Sequence, residues 1–232
     1  MKKKQRKKRS GNGFYRAIAA IFGGLVRFVF RVRTTGLENL PQEGGFILCA
    51  NHIGYPDAVL LVAALPCEIR FLGKKEIFKV PLLGSFVRAM GAVPVDRNAA
   101  DVGAIKKMIA LAKAEHAITV FPQGHRRHGQ NPADTEIKHG IGMIAAASGV
   151  PVVPVCIKMK RERYALFRRV NIIVGTPMTY REICGEERGR SGYEKASQAF
   201  FGATCLLGGY TPSALPPATS VPESSEAGGN EA

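Results

Sequence analysis

Short apolar runs alternate with stretches of helical periodicity between about residue 36 and residue 175. The apolar runs predict strands at 45–50, 69–72, 92–95, 117–121, 151–157 and 170–174. The intervening and following periodic stretches predict helices at 57–65, 80–90, 100–115, 138–148 and 193–207. This alternation is typical of an α/β fold in which helices cover a central sheet.

A separate amphipathic segment, residues 13–34, precedes this pattern. Drawn as a helix, it places Arg16, Arg27 and Arg31 within about 60° of one another. The opposite side is apolar: Phe14, Ile18, Phe22, Leu25, Val29 and Val32. The longest uncharged run, 17–26, is about half of the ~20 residues that a spanning helix needs. We therefore expect a helix that lies in a membrane interface. A helix packed on its own domain, and a signal peptide or spanning anchor, are the alternatives.

Composition divides the rest of the chain. Residues 1–12 form a basic leader and residues 210–232 are rich in Pro, Ser, Gly and Glu, so both are expected to be disordered. Residues 35–209 then form the main domain. The net charge of +15 favours phosphate-bearing partners without choosing among nucleic acid, lipid headgroups and small substrates. The five scattered cysteines form no C-x-x-C motif, which indicates reduced thiols in a cytosolic setting.

The segment from Asn51 to Asp57 is the strongest candidate for chemistry. On one continuous helix His52 and Asp57 would point about 140° apart and could not meet. Pro56 disfavours helix at the residue before it and suits a helix start, so His52 is expected on a loop and Asp57 in the first helical turn. The carboxylate can then bond one imidazole nitrogen and leave the other to act as a base. Taken alone, the same residues also fit a loop histidine near a capping aspartate.

A second candidate is the turn after strand 117–121. This turn contains Gln123 and Gly124, and Arg126 and Arg127 follow Gly124 two and three positions later. Backbone N–H groups and guanidinium groups can both donate to a phosphate. An ordinary loop with solvated arginines is the alternative.

Other motifs carry less. Gly140, Gly142 and Ala145 match G-x-G-x-x-A by letter, but no strand precedes them, so we interpret them as small residues that let a helix pack closely. No metal is expected, because the nearby histidines lack carboxylate or thiolate companions at ligand spacing. The chain lacks a G-x-S-x-G elbow, a phosphate-loop signature and H-E-x-x-H.

Four blocks together resemble the glycerolipid acyltransferase family that includes 1-acylglycerol-3-phosphate O-acyltransferase. The likeness covers about residues 35–175. The blocks are the N-H-x4-D segment 51–57, the segments 73–84 and 91–97, the F-P-Q-G-H-R segment 121–126, and the V-P-V-V-P-V segment 150–155 with Lys138 and Gly140 ahead of it. The resemblance implies a mixed central sheet flanked by helices, as in glycerol-3-phosphate acyltransferase.

The resemblance also implies an activity. A fatty acyl group would pass from coenzyme A or acyl carrier protein to the free hydroxyl of lysophosphatidate, with no further cofactor. His52 would take the hydroxyl proton and Asp57 would orient it. The substrate's phosphate would contact Gln123, Gly124 and Arg126, with Lys74 and Arg97 as supporting cations. The enzyme would act at the cytoplasmic face of the cell membrane as a peripheral or monotopic protein, in contact with membrane lipids.

Two departures leave the acceptor open. Where the family usually has F-P-E-G-T-R, this chain has Gln123 in place of the glutamate and His125 in place of the threonine. An acyltransferase of the same fold that uses another lysolipid is therefore an alternative. A basic module that binds nucleic acid or anionic lipid without catalysis is a third, although no nucleic-acid-reading motif is present and no nucleic acid partner is expected.

Overall fold

The computed structural model describes residues 13–96 and 101–213. Its centre is a seven-stranded sheet in the order β1-β7-β6-β2-β5-β3-β4. The strands are β1 (Arg33–Thr35), β2 (Phe46–Ala50), β3 (Ile69–Lys74), β4 (Ala92–Val95), β5 (Ala117–Val120), β6 (Val152–Met159) and β7 (Val170–Val174). All neighbouring pairs are parallel except β6 and β7, so the sheet is mixed, as expected.

Helices cover both faces of this sheet. They are α1 (Gly13–Val29), α2 (Asp57–Ala64), α3 (Leu83–Ala89), α4 (Val102–Lys113), α5 (Gly140–Ser148), α6 (Tyr180–Cys184) and α7 (Arg190–Leu207). Successive side chains of the fully buried strand β2 point to opposite faces of the sheet and contribute to the hydrophobic core on each face. Phe46 and Leu48 face the core beneath α1 and α2, whereas Ile47 and Cys49 face the core beneath α4, α5 and α7.

Strand direction decides where the functional loops lie. Because β2, β3, β5 and β6 are parallel, the loops after them meet at one edge of the sheet. The antiparallel β7 begins at that same edge. Residues 51–56, 121–139 and 160–169 are therefore neighbours although they are far apart in sequence. We call this the active edge.

The first helix both packs on the domain and leaves an apolar face outside. A Cβ built on Gly23 would lie 3.5 Å from the Cα of Ala63 in α2. The Arg27 guanidinium donates to the carbonyl of Ala63 at 2.9 Å. Tyr15 is buried and its hydroxyl accepts from the N–H of Ile69. The outward face carries exposed apolar side chains: Phe14, Ile21, Phe22, Leu25 and Phe28. One face of α1 therefore packs on its own domain, which was one of the alternatives.

Several boundaries differ from the sequence-based expectations. The N-terminal helix ends at Val29 rather than at residue 34, because Arg33–Thr35 pairs with β7 as strand β1. The predicted helix 80–90 is α3, and a 3-10 turn, Lys75–Lys79, precedes it. Helix α6 was not predicted, although Thr179 and Glu182 form a capping box at its start. The leader 1–12 and most of the predicted tail, 214–232, lie outside the described residues.

The G-x-G-x-x-A segment packs one helix closely on another, as predicted. A Cβ at Gly142 would lie 2.2 Å from the backbone oxygen of Tyr193 in α7. The N–H of Gly142 donates to the Ser197 hydroxyl at 3.1 Å. Glycine is therefore required where α5 meets α7.

We expect Gly142→Ala to lower the free energy of unfolding by about 1–3 kcal/mol, because the added methyl group forces the two helices apart. Urea denaturation followed by circular dichroism measures this change.

Gly202→Ala is the matched control. Gly202 lies inside α7 and a Cβ there would meet nothing within 4 Å. Removal of a flexible glycine from a helix should raise stability by about 0.5–1 kcal/mol. Equal effects at the two positions would contradict the packing explanation.

Candidate functional site

The His52 and Asp57 side chains meet at the active edge. His52 leaves the end of β2 and Asp57 opens α2, as the sequence predicted. The distance between His52 Nδ1 and Asp57 Oδ2 is 2.6 Å. His52 Nε2 has no hydrogen-bond partner within residues 13–96 and 101–213. One nitrogen is therefore held, while the other can exchange a proton with a bound molecule.

Four donors surround the Asp57 carboxylate, which is fully buried. Oδ2 also accepts from the N–H groups of Ile53 at 2.7 Å and Gly54 at 2.9 Å. Oδ1 accepts from the hydroxyl of Tyr164. A buried carboxylate is costly unless its oxygens are bonded, and these bonds satisfy both oxygens and fix the side chain in place. The immobile Asp57 in turn holds the imidazole in one orientation and one tautomer.

Tyr164 was not singled out from the sequence. It lies 107 positions after Asp57, in the loop between β6 and β7. Burial, and next to it the Asp57 carboxylate, raise the pKa of Tyr164, so its hydroxyl keeps its proton and donates. Its ring packs edge-on against Phe30, with centroids 5.7 Å apart, and against Gly54, where a Cβ would come within 2.9 Å of the ring.

The histidine loop is held from beneath by three further groups. Asn51 is buried and exchanges two hydrogen bonds with the backbone of Ile157 in β6, at 2.9 and 2.8 Å. The ring of Phe121 stacks on the imidazole of His52, with centroids 4.3 Å apart. The N–H of His52 donates to Gln123 Oε1 at 2.6 Å. These contacts leave the ring little freedom to turn.

Gln123 faces the protein interior and is 3% exposed. Its Nε2 donates to the hydroxyl of Thr135 at 2.7 Å, and that hydroxyl donates to the carbonyl of Pro132. Both ends of the amide are therefore used to join the His52 loop to the segment around Thr135. Its predicted contact with substrate stays a prediction, and the structure gives it a supporting role.

Two N–H groups of the turn at Gly124 already have partners within the protein, and the predicted binding of a phosphate by this turn stays a prediction. Gly124 has φ +69°, and its N–H donates to the carbonyl of Phe121. The N–H of Arg127 donates to the carbonyl of His52 at 2.8 Å. These two N–H groups are therefore already bonded within the protein. Arg126 instead lies over the exposed ring of Tyr55, 3.7 Å from its centroid, which places a guanidinium beside the histidine loop.

Two lysines complete the cationic surroundings. Lys74 ends β3 at the active edge, is half exposed, and forms a loose ion pair of 3.7 Å with Glu76. Lys138 passes over Gly124, and a Cβ there would lie 3.1 Å from Lys138 Cε. The predicted contribution of Arg97 falls outside the described residues.

A metal would find few ligands here. In the described part of the chain, no three His, Cys, Asp or Glu side chains converge on one point. The site is made of an imidazole, a carboxylate and surrounding cations, which suits proton transfer beside an anionic group.

Comparison with known proteins places this site in a family. The family model described as Acyltransferase matches residues 31–158. The chain is 33% identical over 150 residues to the 1-acyl-sn-glycerol-3-phosphate acyltransferase of Bacillus subtilis, covering 63% of this chain and 73% of that protein. It is 29% identical over 134 residues to the protein of the same name from Borreliella burgdorferi, covering 55% of this chain and 51% of that protein.

A solved structure has the same fold. The crystal structure of the 1-acyl-sn-glycerophosphate (LPA) acyltransferase PlsC from Thermotoga maritima superposes with a TM-score of 0.62 at 23% identity, covering 83% of this chain and 78% of that one. The matched segment 31–158 contains the His52–Asp57 pair, the turn at Gly124 and the strands that carry them. The chain therefore belongs to the acyltransferase family.

Proposed function

We propose that this chain transfers a fatty acyl group from an acyl thioester to the free hydroxyl of 1-acylglycerol-3-phosphate, which makes phosphatidate for phospholipid synthesis. The observation that carries the proposal is the 2.6 Å contact between His52 and a buried, fully bonded Asp57. Relatives bearing the name 1-acyl-sn-glycerol-3-phosphate acyltransferase support the choice of acceptor.

The chemistry needs one base and no acyl-enzyme. Nε2 of His52 takes the proton of the acceptor hydroxyl as its oxygen attacks the thioester carbonyl. The tetrahedral intermediate then collapses, the C–S bond breaks, and the leaving thiolate takes the proton from the imidazolium. Asp57 stabilises the transient positive charge on the ring. Coenzyme A and acyl carrier protein both satisfy this scheme as donors.

Cations around the histidine loop would hold the acceptor's phosphate. Arg126 is the main candidate, because its guanidinium already lies against Tyr55 beside His52. Lys74 and Lys138 extend the same charge along the active edge, and Arg97 follows β4 in sequence. A phosphate anchored here would orient the neighbouring glycerol hydroxyl toward the imidazole.

A different lysolipid acceptor is the second candidate. Gln123 replaces the family's usual glutamate, but its amide forms buried hydrogen bonds that support the His52 loop. This replacement is therefore weak support for a different acceptor. The histidine at position 125 lies on the exposed turn beside Arg126 and is the position that favours altered acceptor choice.

The deciding experiment offers a labelled acyl thioester, on coenzyme A and on acyl carrier protein, to a panel of lysolipids. We expect the highest kcat/KM with lysophosphatidate, because only a phosphomonoester presents a dianion to the cations at the active edge. A strong preference for an acceptor without a phosphomonoester would reject this function in favour of the alternative.

His52→Ala is the control for catalysis in that assay. Loss of the general base should lower kcat by about 10²–10⁴-fold. Binding of the variant to vesicles of anionic lipid should equal that of the wild type. Full activity in this variant would eliminate the proposed mechanism, and the basic binding module would remain.

Tyr164→Phe tests how the aspartate is held. The change removes the hydroxyl bonded to Asp57 Oδ1 and keeps the ring on Phe30. With one donor fewer, the carboxylate attracts the imidazolium more strongly, so we expect the acid limb of the kcat profile to move toward higher pH. We also expect kcat at neutral pH to fall about ten-fold, the effect of one charge-assisted hydrogen bond.

Tyr193→Phe serves as the matched control for a lost hydroxyl. Tyr193 lies in α7, against the core on the other face of the sheet. Its pH profile should coincide with that of the wild type. A Tyr164→Phe profile that drops in height without moving along the pH axis would indicate a merely structural role.

The outward face of α1 supports attachment to a membrane surface. Within the described residues, no helix has the length and apolarity needed to cross a bilayer. The exposed face of α1 continues onto the exposed Phe167, whose ring packs edge-on against Phe28. A continuous apolar surface of this kind, beside the helix that carries Asp57, suits an interfacial enzyme whose substrates are lipids.

Ile21→Ser/Phe28→Ser should reduce co-sedimentation with vesicles about ten-fold or more, because two large apolar side chains leave the lipid contact. The control Val102→Ser/Leu206→Ser removes two equally exposed apolar side chains from α4 and α7. Equal losses from both pairs would contradict a specific membrane face. Activity toward a water-soluble, short-chain acceptor should persist in both double variants.

A further inference from the structure

A second cationic site lies beside the catalytic one. A cleft of about 580 Å³ opens between the loop after Gly124 and the loop between β6 and β7. Its lining includes three arginines, one glutamate and the ring of a tyrosine: Arg161, Arg163, Arg168, Glu162 and Tyr210. The proposed mechanism uses none of these side chains.

The arginines have no carboxylate partners. Among the described residues, none of the three forms an ion pair. Arg168 donates to the backbone carbonyls of Lys160 and Arg163, which stiffens the loop. Arg161 and Glu162 both have positive φ, at 60° and 46°, so the loop is held in a conformation that such residues rarely adopt. Unpaired guanidinium groups on a constrained loop suit an anionic ligand.

The one acid in the cleft does not cancel this charge. Burial raises the pKa of Glu162. The Glu162 carboxyl lies beside the Tyr210 hydroxyl, at one wall of the cleft. Three arginines against one glutamate leave the charged lining of the cleft net positive.

The cleft is tied to the catalytic loop by backbone bonds. The N–H of Gly129 donates to the carbonyl of Glu162, and the N–H of Arg127 donates to the carbonyl of His52. Gly129 and Arg127 are two residues apart, so the cleft begins within about 10 Å of the histidine loop. Tyr164, which lies in the same loop between β6 and β7 as the three arginines, donates to Asp57. A molecule reaching from the cleft could thus place its far end at His52.

We propose that this cleft binds the phosphate at the end of the pantetheine arm of the acyl donor. The inference rests on the proposed function, because both donor types carry such a phosphate at a distance from the reacting thioester. The acceptor's phosphate has its own proposed cations around Arg126, which does not line this cleft. A second cationic site on the same edge of the sheet suits a thioester donor whose phosphate lies apart from the reacting carbon.

Arg161→Gln/Arg163→Gln tests the assignment. Arg168 is left in place, since it bonds the loop backbone. We expect the KM for the acyl donor to rise about ten-fold, with kcat and the KM for the acceptor within about two-fold of wild type. A rise in the acceptor KM instead would assign the cleft to the acceptor and overturn the proposal, and unchanged kinetics would overturn it as well.

Lys113→Gln/Arg181→Gln is the matched charge control. Lys113 ends α4 before β5 begins and Arg181 lies in α6 near the start of β6, so both are at the opposite edge of the sheet. This variant loses the same charge and should keep the wild-type donor KM. An equal rise in donor KM would show a general effect of net charge and overturn a specific site.

Direct binding separates this site from the reaction. In the His52→Ala background, 4′-phosphopantetheine and pantetheine are titrated by calorimetry. The phosphorylated probe should bind more tightly, and Arg161→Gln/Arg163→Gln should abolish that difference. Comparison of coenzyme A with holo-acyl carrier protein then identifies which source of the phosphate the cleft prefers.

The two hypotheses fail in different ways. Phosphate-dependent binding without acyl transfer to any lysolipid would reject the proposed function and leave the cleft assignment standing. Acyl transfer with a donor KM that ignores both cleft arginines would reject the cleft assignment and leave the function standing.

Discussion

The buried carboxylate of Asp57 is the constraint on which the site depends. A carboxyl group with no exposure is costly to bury unless its oxygens are bonded. Here the bonds come from the imidazole, from two backbone N–H groups of the same loop and from Tyr164 on a distant loop. The same four bonds that make burial tolerable also fix the position of His52. Folding and catalytic geometry are therefore satisfied by one set of contacts.

The sheet supplies the rest of the geometry. Parallel neighbours bring the loops after β2, β5 and β6 to one edge, and β7, which is antiparallel to β6, begins at that same edge. The buried Asn51 joins β2 to β6 at that edge through two bonds to Ile157. The His52–Asp57 pair, the guanidinium of Arg126 and the cleft arginines thereby lie at one edge of the same sheet, which is what the proposed two-substrate reaction needs.

Local rules in the sequence were enough to predict six of the seven strands and the start of α2 beside the site. Pro56 marks the start of α2 and thus separates His52 from Asp57 correctly, because it disfavours helix in the residue before it. The short β1 escaped prediction, since three residues with a mixed burial pattern carry no periodic signal. The N-terminal helix was only partly predictable. Phe14, Phe22 and Leu25 of its predicted apolar side are exposed, but contact with α2 through Gly23 depends on tertiary packing.

Partners distant in sequence could not be predicted. Tyr164, Phe121 and Gln123 each approach the His52 loop from another strand end, and no spacing rule links them to it. Gln123 shows the consequence. The replacement of the family's glutamate by Gln123 suggested that a negative charge is missing from a substrate contact. In the structure, the amide oxygen and the amide nitrogen of Gln123 both form hydrogen bonds within the protein. A carboxylate could replace only the acceptor end, because Thr135 already donates its proton to Pro132.

The loop between β6 and β7 links three parts of the proposed reaction. Its Tyr164 bonds the Asp57 carboxylate, its arginines line the cleft, and its Phe167 packs against Phe28 of α1. The N–H of Phe167 also bonds the carbonyl of Val29 at the end of α1. A displacement of α1 on a membrane would therefore reach Asp57 through Phe30 and Tyr164, whose rings are in contact. Because packed side chains transmit strain rather than absorb it, attachment of α1 to lipid, as proposed, would be mechanically connected to the orientation of His52.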